Sequence, residues 1–105
     1  MNLAMGPKQI DQSLIRLSAL IEVSKGPTDS ADLLVKLHDR GLAVNLALVR
    51  RILRAFERKG YLVSRETEAG RTSVTYAITR TGRRQSRDAR EKLAALIATF
   101  GSRSA

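Results

Sequence analysis

The spacing of apolar residues in this chain changes period at Gly60, and that switch constrains the fold more than any other feature of the sequence. From Gln9 to Ser24, Ile10, Leu14, Leu17, Leu20 and Ile21 recur every three or four positions, which predicts one apolar face of a helix. Gly26-Pro27 ends it, because proline cannot continue the hydrogen-bond ladder. Thr28 or Asp29 can cap a second helix with Leu33, Leu34 and Leu37 as its stripe and Arg40-Gly41 as its stop. A third helix is expected from Asn45, a good N-cap, to Lys59-Gly60, with Leu46, Val49, Ile52, Leu53 and Phe56 on the buried side. The short connection from Gly41 to Val44 suits a helix-turn-helix.

Beyond Gly60 the pattern is that of strands. Tyr61 to Thr67 and Thr72 to Thr79 are rich in β-branched and aromatic residues, with Val74, Tyr76 and Ile78 alternating with small or polar neighbours. Glu68-Ala69-Gly70-Arg71 reads as the turn between them. Thr79 can cap a last helix reaching Phe100, with Ala89, Leu93, Leu96, Ile97 and Phe100 on one face. The expected fold is mainly α with a small β-hairpin, a winged helix-turn-helix of three helices, a two-stranded wing and a long C-terminal dimerisation helix. Residues 1–9 then form an N-terminal arm, 10–79 the winged helix domain, 80–100 the dimerisation helix and 101–105 a flexible tail. A chain of 105 residues is one domain's worth of core.

Charge says what such a domain meets. The formal net charge is +9, and it is segregated: residues 1–40 carry five cationic and five anionic side chains, residues 41–105 fourteen cationic and five anionic. Twelve of those fourteen are Arg, which favours forked recognition of phosphates and base edges. Other chemistries lack their residues. Without Cys there is no thiolate, disulfide or cysteine-ligated metal, and His38 alone cannot build a triad or a histidine metal pair. The glycines are too dispersed for a nucleotide loop, and four aromatic residues leave little for a cofactor cavity. No enzyme activity, metal or cofactor is expected. His38 is expected to interact with the dipole of the second helix or with solvent, and the acidic residues to be solvated surface. No apolar run approaches the roughly 18 residues of a membrane span, and a cytoplasmic protein, nucleoid-associated when bound, is the expectation.

The outward side of the third helix carries the sharpest functional signal. At about 100° per residue, Arg50, Arg51, Arg54 and Arg58 gather around small Ala47, opposite the apolar side. Guanidinium groups there can fork onto guanine acceptors or pair with phosphates. The alternative is a solvated face neutralised by salt bridges, for which this helix offers only Glu57. Asn45 can cap the helix or reach an adenine edge. On the wing, Arg65, Arg71, Thr72 and Ser73 can meet phosphates or a minor groove, although Glu66 and Glu68 dilute the charge and an ordinary polar hairpin fits as well. The last helix is basic in its first half, through Arg80, Arg83, Arg84, Arg87, Arg90 and Lys92, and apolar from Leu93 to Phe100. A second subunit is the simplest cover for Ala89, Leu93, Leu96, Ile97 and Phe100, joined by Leu14, Leu17 and Ile21; a membrane-surface helix is the alternative. A two-fold dimer sets two Arg faces on successive turns of one duplex.

The chain resembles the PadR-like transcriptional regulators from about Ile10 to Phe100. The likeness rests on Gly26-Pro27, on Leu53-Arg54-Ala55-Phe56-Glu57-Arg58-Lys59-Gly60-Tyr61-Leu62 at the joint of third helix and wing, on the wing ending in Tyr76, and on Ile78-Thr79-Arg80-Thr81-Gly82, similar to the family's leucine-threonine-x-x-glycine. The resemblance implies a dimeric repressor or activator with the third helix as reader, and small aromatic or drug-like effectors for some members. Two departures stand out. Leu48-Val49-Arg50 replaces the threonine-valine-tyrosine of many relatives, so Arg50 stands where they have tyrosine, and aromatic residues for an effector cavity are not evident, which leaves a small-molecule effector without support. The expected function is that of a dimeric, sequence-specific regulator of double-stranded DNA, a repressor, with 45–59 in the major groove, 61–79 as wing and no membrane partner. The alternatives are a nonspecific nucleic-acid or chromosome-associated protein and a winged helix protein-interaction module.

Overall fold

The computed structural model describes residues 7–67 and 73–103, with side chains from Gln12 to Glu66 and from Val74 to Thr99. The elements run α1 (Pro7–Val23), α2 (Ser30–Asp39), α3 (Leu46–Arg58), β1 (Leu62–Thr67), β2 (Ser73–Ile78) and α4 (Arg80–Arg103). This is the expected mainly α fold with a β-hairpin, in the expected order. Two boundaries differ. α1 already starts at Pro7, whose fixed φ suits a first helical turn, and α4 continues past Phe100 through Gly101 to Arg103.

Local chemistry explains the breaks. Asp29 caps α2 by accepting from the Asp32 amide at 2.7 Å, and Asn45 caps α3 by accepting from the Leu48 amide at 2.8 Å. α2 and α3 end in the same way. Gly41 and Gly60 adopt φ of +80° and +81°, and the amides after them return to the last turn, Leu42 to the Leu37 carbonyl at 3.1 Å and Tyr61 to the Phe56 carbonyl at 2.9 Å. His38 does more than face solvent: Nε2 donates to the Val44 carbonyl at 2.7 Å, fastening the end of α2 to the turn before α3.

β1 and β2 pair antiparallel from Leu62 opposite Ile78 to Thr67 opposite Ser73. The expected turn, Glu68 to Arg71, lies outside the described residues. A third extended piece joins the hairpin at one position. Thr28 and Tyr76 exchange both backbone hydrogen bonds, at 3.0 and 2.7 Å, so the link between α1 and α2 is stitched to β2.

The core gathers Ile15, Ala19, Leu20 and Val23 of α1, Leu33 and Leu37 of α2, Val49, Ile52, Leu53 and Phe56 of α3, Leu62 of β1 and Ala89 of α4. For α2 and α3 the buried stripes are those expected, with Leu34 and Leu46 partly covered. On α1 the core takes a side that the expected stripe does not describe. Ile15, Ala19 and Val23 turn inward, whereas Leu14, Leu17 and Ile21 lie roughly half a turn round the helix, with Leu14 exposed and Leu17 and Ile21 half-buried. Leu20 sits between the two sides and is buried. α4 also finds cover within its own chain for part of the face expected at a subunit interface. Its first half lies on α1, with Ser86 and Ala89 buried, while Gly82 meets the Tyr61 carbonyl at the start of the wing.

The acidic residues are not all solvated surface. Glu22 is 5% exposed and accepts from Arg40 and Lys25, which ties α1 to the end of α2. Burial by itself raises the Glu22 pKa, but the hydrogen bonds and charges of Arg40 and then Lys25 outweigh it and hold the carboxyl below its usual range. Asp32 is held low by its hydrogen bond from Lys36 and by that from Thr28. Among the described residues, no helix is long and apolar enough to cross a membrane.

Candidate nucleic-acid interface

Burial of Val49, Ile52, Leu53 and Phe56 leaves Ala47, Arg50, Arg51, Arg54 and Arg58 on the exposed side of α3. Helical geometry spreads them over an arc of about 100°, in the order Arg50, Arg54, Ala47, Arg58, Arg51. The ends of the arc border different grooves. Arg50 and Arg54 line one of about 310 Å³ with Asp29, Ser30 and Ala31 at the start of α2 and Val74 and Tyr76 of β2. Arg51 and Arg58 line another of about 180 Å³, with Gln12, Ile15 and Arg16 of α1 opposite. The first groove also faces the N-terminal end of α2, where the helix dipole favours negative charge.

Among the described residues, none of the four guanidinium groups is in an ion pair. Among the described residues the ion pairs join Lys25 to Glu22, Lys36 to Asp32 and Arg40 to Glu22. Glu57 is the one carboxylate of α3, and it accepts the Ser64 hydroxyl of β1 at 2.6 Å. The salt-bridged surface considered as the alternative is therefore not what forms. Asn45 uses Oδ1 as the helix cap, which is the structural of its two expected roles.

The wing presents Arg65 in the open. It pairs with Thr75 on the outer face of the hairpin, while Leu62, Tyr76 and Ile78 face the body. Arg71 and Thr72 lie outside the described residues, as does the side chain of Ser73, the first residue of β2.

The residues expected at a subunit interface do not form one set. Ala89 is 3% exposed inside the core, against α1, and so cannot be an interface residue of the folded chain; the small side chain closes the α1–α4 contact instead. Leu93 is half-buried, Leu96 and Ile97 are 50% and 69% exposed, and Leu14 is 38% exposed. The side chain of Phe100 lies outside the description.

Sequence reasoning missed two contributors to the interface. Arg16 sits in the charge-balanced half of the chain, and nothing in its spacing announces that α1 brings it beside Arg51 and Arg58. Asp29 to Ala31 were legible only as a cap, although the Thr28–Tyr76 pairing sets them across from Arg50 and Arg54.

No protein-family model matches the chain, and no curated protein matches it in sequence. Solved structures do match. A PadR-like transcriptional regulator from Bacillus cereus is similar with a TM-score of 0.80 at 15% identity, over 90% of this chain and 94% of that one. A PadR-family transcriptional regulator from Eggerthella lenta has a TM-score of 0.76 at 19% identity, covering 90% and 85% of the two chains. A transcriptional regulator from Clostridium thermocellum has a TM-score of 0.75 at 14% identity, covering 94% and 97%. The chain has the winged helix fold of the PadR-like transcriptional regulators.

Proposed function

We propose that this chain is a DNA-binding transcriptional regulator of the PadR type, without enzymatic activity, that acts in the cytoplasm as a homodimer. The observation that carries this is the arc of four unpaired arginines on α3, opposite its core side and open to solvent. Like charges held together on one helix face repel unless an anion is present, and a duplex supplies both phosphates and guanine edges. In this reading α3 enters the major groove, Arg50 and Arg54 reach base edges beside the start of α2, Arg51 and Arg58 meet the backbone, and Arg65, Arg71, Thr72 and Ser73 of the wing meet flanking phosphates or the minor groove.

Leu96 and Ile97 supply the subunit contact, with Leu93, Phe100 and the outer side of α1 at Leu14, Leu17 and Ile21. A two-fold axis there sets the reading helices one duplex turn apart, about 34–36 Å, on a pseudo-palindrome. A dimer seated on such a site acts as a repressor by occlusion.

Selection from random duplexes at near-physiological salt tests this reading. A recovered motif bound much more tightly than bulk DNA supports it, and equal affinity for selected and random duplexes replaces it with nonspecific coating. Absence of salt-sensitive duplex binding leaves only a protein-interaction module.

A further inference from the structure

The basic first half of α4 holds a second concentration of positive charge, apart from the α3 arc. Arg83, Arg87 and Arg90 stand at i, i+4 and i+7, on one side of the helix, with Ser86 beside them. The end of α1 faces them at Ser24. These five residues line a concave site of about 220 Å³.

Each side chain in the site has a definable state. Ser24 donates its only hydroxyl proton to the Ile21 carbonyl at 2.5 Å and accepts from Nη2 of Arg90 at 3.1 Å. It therefore positions Arg90 and has no proton left for a ligand. Ser86 is 3% exposed, and its hydroxyl meets no partner among the described residues. No side-chain nitrogen or oxygen of those residues is sealed from solvent without a hydrogen bond, so the Ser86 hydroxyl opens into the site it lines. The interleaved carboxylates of Asp88 and Glu91 form no ion pair with any of the three arginines.

We infer that this pocket is an oxyanion site that takes a phosphate group. Three guanidinium groups that repel one another and a nearly buried, unused hydroxyl are complementary to a compact anion with several acceptor oxygens. A tetrahedral phosphate offers three or more oxygens in different directions, whereas a planar carboxylate offers two in one plane. Ser86 donates to one oxygen and the guanidinium forks take the others. The phosphate belongs either to a small phosphorylated molecule or to the backbone of a bound duplex; the chemistry of recognition is the same.

The test uses the full chain and inorganic phosphate as probe, with chloride at equal ionic strength as the control. Amide and arginine Nε resonances are followed by NMR. Saturable shifts confined to Ser24 and residues 83–90 are expected. Their midpoint should rise about tenfold in the double variant Arg83→Gln/Arg87→Gln and by a smaller factor in Ser86→Ala, with circular dichroism confirming that both variants fold. A second arm measures duplex affinity against salt. If the backbone supplies the phosphate, the double variant lowers the log–log slope by about one to two; if a small molecule supplies it, the slope is unchanged while phosphate binding is weakened. Equal responses to phosphate and chloride together with an unchanged slope overturn the site, as does phosphate binding that the arginine substitutions leave intact.

Discussion

Ser64 of β1 donates its hydroxyl to Glu57 of α3 at 2.6 Å, so the wing holds the only carboxylate of the arginine-bearing helix. By helical position Glu57 lies close to Arg50 and Arg54, where its charge opposes a bound phosphate. Glu57→Gln keeps an acceptor for Ser64 and removes that charge. Duplex affinity at low salt should rise about two- to fivefold, with the gain shrinking as salt is added, measured by fluorescence anisotropy. A loss of affinity would place Glu57 among the DNA contacts and contradict its role as a neighbour held aside.

The division of the arginine arc between two grooves separates two kinds of contact. Arg50→Ala and Arg54→Ala should each cost about 1–3 kcal/mol on a selected site and relax base preference at one or two positions. Arg58→Ala should weaken all duplexes alike and lower the salt slope by about one. Competition among single-base variants of the site reads the difference, and identical profiles for the two classes would sink the division.

Thr79 and Gly82 form the joint that carries α4. The Thr79 hydroxyl accepts from the Gly82 amide at 3.0 Å and lies within donating distance of the Gly60 and Tyr61 carbonyls at 2.6 and 3.1 Å. A Cβ on Gly82 would collide with the Tyr61 carbonyl oxygen and lie 2.7 Å from Ile78 Cγ1, whereas a Cβ on Gly60 meets nothing. Gly60→Ala should therefore cost about 1–2 kcal/mol, from its left-handed backbone alone. Gly82→Ala should cost about 1–3 kcal/mol from overpacking, even though alanine is the better helix former. Urea denaturation checks both: each midpoint should fall, and a gain in stability for Gly82→Ala would refute the close approach.

Glu22 makes stability depend on pH in a defined window. Its folded pKa lies below the ordinary 4.5 because the hydrogen bonds and charges of Arg40 and Lys25 overcome the opposing effect of burial. The carboxylate therefore contributes fully above about pH 4.5, and the contribution is lost as pH falls through the lower folded value. Glu22→Gln should cost about 1 kcal/mol at pH 7, and the gap to the parent should close on acidification toward pH 3. Urea midpoints at both pH values check the sign.

Among the described residues, Leu96 and Ile97 are the large apolar side chains left open on distal α4. Ile97→Glu should shift sedimentation toward the monomer and weaken binding to a two-half-site duplex far more than to one half-site. A parent chain that sediments as a monomer at micromolar concentration would remove the subunit contact from the proposal.

Element order and the arginine arc were legible because both follow from geometry inside one element: a period of 3.6 against 2, and an angle per residue. The face that α1 buries was not. Leu14, Leu17 and Ile21 make as good a stripe as Ile15, Ala19 and Val23, and only the packing of the other helices chooses between them. Ala89 was misassigned for the same reason, since nothing local says that α4 lies back on α1. The strand residue Thr28 was invisible because one paired residue leaves no alternation to read. Ile78-Thr79-Arg80-Thr81-Gly82, by contrast, acquires a physical meaning: Thr79 caps α4 while Gly82 admits the Tyr61 carbonyl.

The reciprocal bonds between Thr28 and Tyr76 clamp the wing to the joint between α1 and α2, one residue before the cap of α2. α3, packed on α2 and β1, and the wing are thereby held at one spacing, like the jaws of a fixed-gap spanner. In the proposed function, a duplex gripped by both has to bring its groove width and curvature to that spacing, so base steps that bend easily should be enriched in preferred sites even where no side chain reaches them.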